Sequence, residues 1–187
     1  MTDFAGLDSF AIQVSDGNSS AEISVNVNVG GVNDAPVIDQ GTVISVAMSE
    51  DGSPSPWNPP SLSASDREGH VLAWNLSGEP SHGIASVSGI GTSPTTFFYE
   101  PSANYAGMDA FRVAVSDGNL SDEITVNVTV IGVNDAPVIF QGSTLSVMMS
   151  EDGVPTAWSS PTLTVLDLDV SDTLTWSVSA APSHGSV

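Results

Sequence analysis

The side chains with the strongest chemical potential in this sequence are carboxylates, placed in turns and at the ends of apolar stretches. Glu50 stands beside Asp51, and Asp66 lies two residues before Glu68. Asp109, Asp117 and Asp135 follow, and the run Asp167-Leu-Asp169-Val-Ser-Asp172 is denser still. In extended backbone, residues two apart project to the same side. Pairs such as Asp66/Glu68 and Asp167/Asp169 are therefore shaped to grip one hard cation. Ca2+ is the natural match, since it takes about six to eight oxygens from carboxylates, Asn side chains and backbone carbonyls. Two plainer readings stand beside this one. The loop acids are simply solvated, or the Asn33-Asp34 and Asn134-Asp135 pairs are turns in which Asx side chains bond their own backbone. Hairpin chemistry alone would also select Asp117 before Gly118.

Other reactive constellations are weaker. His82 and His184 lie in matching Ser-His-Gly turns; repetition of the motif points to a structural part, and no Ser/His/Asp arrangement of known order stands out. Gly89-Ile-Gly91 is followed by no Lys and opens no helix, so it is not a phosphate loop. Paired carboxylates serve glycoside hydrolysis, but here they fall in turns that the repeat explains. An enzyme is not expected. Trp74 and Trp176 alternate with apolar neighbours and read as core. Trp57 and Trp158 lie in Pro-rich loops, where exposure would let them stack on sugar rings and burial would make them structural.

Composition narrows the partners. Twenty-two acidic side chains face two basic ones, Arg67 and Arg112, for a net charge of -20 over 187 residues. Such self-repulsion needs an offset from bound cations or salt. It argues against nucleic acid, whose phosphates require Lys and Arg, and against anionic membrane surfaces. Cysteine is absent, which removes disulfides, thiolate metal sites and a Cys nucleophile. Met1-Thr-Asp-Phe4 has neither a basic start nor an apolar run, so a secretion signal is expected outside this stretch. With no stretch of 18 apolar residues, membrane insertion is not expected.

The acids recur because the chain repeats itself. Ser15-Asp-Gly-Asn and the alternating run after it lead into Gly31-Val-Asn-Asp-Ala-Pro-Val-Ile; Ser116-Asp-Gly-Asn leads in the same way into Gly132-Val-Asn-Asp-Ala-Pro-Val-Ile. The offset from Asn33 to Asn134 is 101 residues, and it also relates Phe10 to Phe111, Glu50-Asp-Gly to Glu151-Asp-Gly and Trp57 to Trp158. One inserted residue later, Trp74 pairs with Trp176 and Pro80-Ser-His-Gly with Pro182-Ser-His-Gly. The expected division is the C-terminal part of one repeat over 1–32, a complete repeat over 33–133, and the N-terminal part of a third over 134–187.

Strand signals dominate the unit. Segments 42–48, 71–76, 84–87, 95–99, 109–115 and 123–130 are β-branched, aromatic or alternating, and 62–64 adds a short piece. Phe111, Val113 and Val115 share one face, as do Ile124, Val126, Val128 and Val130. Gly, Pro, Asn and Asp separate the segments, and no helical period appears. The pattern predicts an all-β antiparallel Greek-key sandwich, with Asn-Asp-Ala-Pro as a linker that Pro holds extended.

Several of these motifs together resemble the cadherin-like tandem repeat of large bacterial surface proteins and adhesins of the calcium-dependent RTX type. Val133-Asn-Asp-Ala-Pro137 is similar to the cadherin linker Asp-X-Asn-Asp-Asn-X-Pro. Val46-Ala-Met-Ser-Glu50 is similar to its first strand with a Glu ligand. Asp66-Arg-Glu68-Gly and Asp167-Leu-Asp169 are similar to its Asp-X-Asp element, and Val113-Ala-Val-Ser-Asp117-Gly to its late-strand Asp. The resemblance implies tandem cadherin-like, immunoglobulin-like sandwiches with Ca2+ between them. It implies ligands Asn33, Asp34, Asp66, Glu68 and Asp117 at the first junction, and Glu50, Asn134, Asp135, Asp167 and Asp169 at the second. Gly31 and Gly132 replace the first linker Asp and Ala35 and Ala136 its second Asn, which implies fewer or weaker sites.

The role expected on these grounds is a calcium-stiffened spacer in an extracellular, cell-surface adhesin or filament, with neighbouring repeats as its partners. The competing readings are a glycan-binding or homophilic module, and head-to-tail self-assembly in which the late strands of residues 1–32 complete the third repeat of another copy.

Overall fold

The computed structural model describes residues 4–169 and 171–185. Residues 1–3 of the first expected segment, and Val170, Ser186 and Val187 of the third, lie outside the described residues. All regular elements among those described are strands.

The first is a hairpin of β1 (Gly6–Ser15) and β2 (Ser20–Val29). Next come β3 (Val37–Ile38), β4 (Val43–Ser49), β5 (Ala64–Ser65), β6 (Ala73–Gly78), β7 (Gly83–Ile90), β8 (Thr96–Pro101), β9 (Gly107–Ser116) and β10 (Ser121–Ile131). The short β11 (Val138–Ile139) and β12 (Val165–Leu166) pair with each other, as β3 and β5 do.

Six strands form one sheet in the order β4-β10-β9-β6-β7-β8. Two of its neighbouring pairs, β4–β10 and β9–β6, are distant in sequence, as a Greek key requires. The chain folds this sheet over itself. Tyr99 and Phe97 on β8 reach Phe111 on β9, with ring centroids 5.7 and 6.1 Å apart, although two strands separate them in the sheet. The all-β sandwich read from the sequence is thus what forms, with one difference from a purely antiparallel plan: β4 runs parallel to β10 from Thr125↔Val43 to Ile131↔Ser49. The rest of the unit lies between these two strands in the chain. No hairpin dictates their relative direction, and a long crossover permits parallel pairing.

Alternation decides what is buried. Phe111, Val113 and Val115 of β9 and Ile124, Val126, Val128 and Val130 of β10 point into one core with Ile38, Met48, Leu62, Leu72, Trp74, Val87 and Tyr99. Each such side chain contributes about 1.5–3 kcal/mol when fully buried. Trp57 joins this core: its ring lies 5.6 Å from Tyr99 and 6.5 Å from Phe111, and its indole N–H donates to the Phe97 carbonyl. The condition for sugar stacking at Trp57 is therefore not met.

The β1–β2 hairpin repeats the sequence and register of β9–β10 without a cover. Phe10 is 54% exposed where Phe111 is 1%, and Ile23 is 63% exposed where Ile124 is fully buried. Trp176 is 55% exposed where Trp74 is 3%. Residues 144–150, the counterpart of β4, form no strand; β2, the counterpart of β10, pairs with β1 instead.

One buried carboxylate locks the Ser-His-Gly turn to β9. Asp109 accepts the N–H groups of Ser81, His82 and Ala110 and the hydroxyl of Tyr99, at 2.9–3.0 Å. Burial by itself raises the Asp109 pKa, but these donors outweigh it and hold the carboxylate below its ordinary value. Burial, then the hydrogen bond to Asp109, drives the Tyr99 hydroxyl far above its ordinary value. The His82 ring stacks on Tyr105 at 4.2 Å. A Cβ on Gly83 would stand 2.5 Å from the Glu100 carbonyl oxygen, so the motif ends in Gly because two backbones meet there.

Two stability predictions follow from burial. Phe111→Ala costs about 3–5 kcal/mol, whereas Phe10→Ala, at the same place in the repeat, stays within about 0.5 kcal/mol; urea unfolding of the two variants checks this. Asp109→Ala leaves the buried Tyr99 hydroxyl without its acceptor and costs about 1–3 kcal/mol, which the same measurement reads.

Candidate cation sites at the repeat junctions

The hairpin turn after β9 builds the first corner of the first junction. Gly118 supplies the positive φ of 98° that this turn requires. Asp117 Oδ1 accepts the N–H groups of Asn119 and Leu120 at 2.6 and 2.7 Å. Asp16 does the same for Asn18 and Ser19 in the earlier repeat. The turn consumes only Oδ1. Asp117 Oδ2 accepts the Asn33 side-chain amide at 2.7 Å, which ties the linker to the turn.

The second corner is the loop after β5. Asp66 Oδ1 accepts the His70 N–H at 2.8 Å, and Glu68 Oε2 accepts the Asp34 N–H at 3.1 Å. The Asp66 side chain is only 1% exposed, yet its Oδ2 is buried without a hydrogen-bond partner, and so is Asn33 Oδ1. An unsatisfied buried polar atom costs about 1–3 kcal/mol. Asp66, Glu68 and Asp117 concentrate negative charge here, and Arg67 stands in the same loop 4.0 Å from Asp34. Among the described residues, Asp66, Glu68 and His70 form the group of three whose ligand atoms all lie within 4.8 Å of one another. All five candidates of the first junction are thus linked through Asn33, Asp34 and the two loops.

The second junction repeats the wiring. Glu50, at the end of β4, accepts the Val133 N–H at 2.7 Å. Asp169 accepts the Asp135 N–H at 2.6 Å, and Asp167 accepts the Asp169 N–H at 3.0 Å. The Asn134 side chain donates to the Asp135 carbonyl, as the Asn33 side chain does to that of Asp34. These carboxylates gather around the linker less tightly than Asp66, Glu68 and His70 do. Partial desolvation, then the charges of Asp51, Asp169, Glu50 and Asp167, raises the Asp135 pKa.

Two members of these clusters escape a sequence reading. Asp51 reads as a turn residue, but it is the first of the charges acting on Asp135. His70 continues the spacing of Asp66 and Glu68 by a further two residues, and that continuation was the available signal.

The profile of the family described as bacterial Ig domain matches residues 33–129. No curated protein sequence matches significantly. Among solved structures, extracellular cadherin domains 1–5 of protocadherin gamma B2 align over 87% of this chain and 32% of that one, at 16% identity and a TM-score of 0.50. An endo-fucoidan hydrolase of glycoside hydrolase family 107 aligns over 72% of this chain and 21% of its own, at 22% identity and a TM-score of 0.41. Domains 4 and 5 of the S-layer protein SbsC align over 65% of this chain and 58% of theirs, at 22% identity and a TM-score of 0.32. This chain spans less than two thirds of each, and at these identities the likeness is one of fold.

One aspartate at each junction is shifted, and the two shifts run in opposite directions. The Leu120 N–H, then the Asn33 amide and the Asn119 N–H, lower the Asp117 pKa from 3.8 to about 2. Its contribution to stability is present above 3.8 and is lost as pH falls through about 2. Asp135 carries a raised value, so its contribution is lost as pH rises and the carboxyl ionises. Carboxyl NMR titration of chelator-treated protein is expected to find Asp117 titrating near 2 and Asp135 above its ordinary range.

Proposed function

This chain belongs to the bacterial Ig domain family, and from that premise we propose that it is a spacer segment of an extracellular, cell-surface repeat protein, stiffened by calcium at the junctions between repeats. Its role is mechanical rather than catalytic. The observation that carries the reading is the pair of orphaned buried oxygens, Asp66 Oδ2 and Asn33 Oδ1, set among carboxylates at the place where one repeat hands over to the next. Hard, flexible oxygen donors of this kind suit Ca2+, with Asn33, Asp34, Asp66, Glu68 and Asp117 serving the first junction and Glu50, Asn134, Asp135, Asp167 and Asp169 the second.

The mechanism is electrostatic. Without cations, carboxylates from two repeats repel across a linker of four residues and the repeats hinge. A bound dication joins loop, linker and strand end, and the array becomes a rod. The exposed apolar rows on β1–β2 fit the same picture: they call for a facing layer of the kind that Phe97 and Tyr99 of β8 lay over Phe111. Trp57, half-buried among the rings of Tyr99, Phe97 and Phe111, serves the strut, whereas Trp158 is 55% exposed and does not discriminate against a sugar-binding face. A surface location follows from the proposed role.

Calorimetric titration of chelator-treated protein with Ca2+ tests the proposal. Binding to the folded state alone stabilises by about 2.7 kcal/mol at a hundredfold excess over Kd, which raises Tm by roughly 10 °C or more for a unit of this size. Asp66→Asn and Asp167→Asn are each expected to remove part of the heat. Calcium should also protect the Asn33–Asp34 and Asn134–Asp135 bonds from a protease that cuts before Asp. Absence of heat, Tm shift and protection at millimolar calcium would exclude calcium stiffening.

A further inference from the structure

The two junctions differ in one ligand type, and the difference points to a second class of cation. We infer that Asp66, Glu68 and His70 form a mixed carboxylate–imidazole site for a first-row transition dication of the Zn2+ class, whereas the second junction takes hard cations only. This rests on the proposal that junction carboxylates hold a cation, and it concerns which cation the first junction selects.

Geometry comes first. A ring nitrogen of His70 and one oxygen from each of Asp66 and Glu68 lie within 4.8 Å of one another. Bonds of about 2.0–2.2 Å to zinc put ligand atoms roughly 3–4 Å apart. Glu68 and His70 are exposed and can close that gap, while Asp66 is fixed. Its Oδ1 is held by the His70 N–H and lies 3.2 Å from His70 Nδ1. Its Oδ2 is buried with no partner. The anchor oxygen is thus preset, and the imidazole already rests against the same carboxylate.

Ligand chemistry comes second. Imidazole favours Zn2+ and its neighbours, whereas Ca2+ prefers oxygen donors throughout. At the corresponding place after Asp167 and Asp169 the chain has Val170-Ser171-Asp172, with no imidazole, so the second junction is an internal control. His82 offers a further contrast. Its Nδ1 is 3.9 Å from Asp109, but that carboxylate is already spent on four hydrogen bonds.

The test uses the whole chain after chelator treatment, titrated with Zn2+ by calorimetry and observed by long-range proton–nitrogen NMR of the histidine rings. Zn2+ is expected to shift a His70 ring nitrogen while His82 and His184 stay put. His70→Ala, at an exposed position and so folding with unchanged Tm in chelator, is expected to weaken Zn2+ binding at least tenfold and leave Ca2+ heats unchanged. Asp167→Asn/Asp169→Asn should leave the His70 shift intact. Equal Zn2+ affinity in His70→Ala, or a silent His70 ring while Ca2+ still binds, overturns this inference alone. Zn2+ binding through His70 without any calcium heat supports it and instead sinks calcium stiffening. No binding of either ion removes both.

Discussion

A hairpin with one wholly apolar face is stable only where something covers that face, and most of this structure answers that constraint. Phe111, Val113, Val115, Ile124, Val126, Val128 and Val130 form such a face, and β4, β6 and the folded-over β7–β8 layer bury it almost completely. The same alternation on β1 and β2 stands in the open. The contrast isolates the cause. Local sequence and the Asp-Gly turn set the register of the hairpin, which is the same in both copies. They do not suffice to bury it, because cover must come from strands far away in the chain. A repeat is therefore a unit of burial more than a unit of sequence.

Once the core is closed in this way, the acids have few places to go. Strand acids such as Asp8, Glu22, Glu100 and Glu123 stand on exposed strand positions, and the acidic clusters collect in loops at the strand ends. Among the described residues, Asp109 is the buried charged residue, and it is spent on four donors that tie two strands and a turn together. The other acidic clusters meet at the two Asn-Asp linkers. Each linker amide or side chain then reaches one carboxylate: Asn33 to Asp117, the Asp34 amide to Glu68, the Val133 amide to Glu50, the Asp135 amide to Asp169. These bonds set the direction in which the chain leaves one sandwich and enters the next.

Much of this was legible before any coordinates. The alternating runs predict β4 and β6–β10 to within a few residues, since period-two burial is a local property. The two-residue β3 was missed; it forms only because the Asp122 carboxylate accepts the Ile38 N–H and β5 pairs with it. The parallel β4–β10 pairing and the contact of Tyr99 with Phe111 were invisible for the same reason, as both depend on the whole chain closing. Trp57 carried no alternation to mark it, and only the aromatic neighbours supplied by β8 and β9 decide its setting. At the junctions, residue types and spacing identified most of the acids, but not which oxygens the turns consume.

That last distinction bears on how a junction works. Asp117 and Asp16 occupy the same turn with the same Oδ1 bonds, so a turn explains half of each carboxylate and leaves the other half free. For Asp117 the free oxygen is claimed by Asn33. With its amide nitrogen committed to Asp117, the Asn33 side-chain oxygen is left buried without a partner, as Asp66 Oδ2 is. The unmet demand at the first junction is thus produced by a chain of satisfied bonds: turn, then linker, then loop. A group that enters there is held by parts of the structure already fixed for other reasons, so little conformational entropy remains to be lost when it binds.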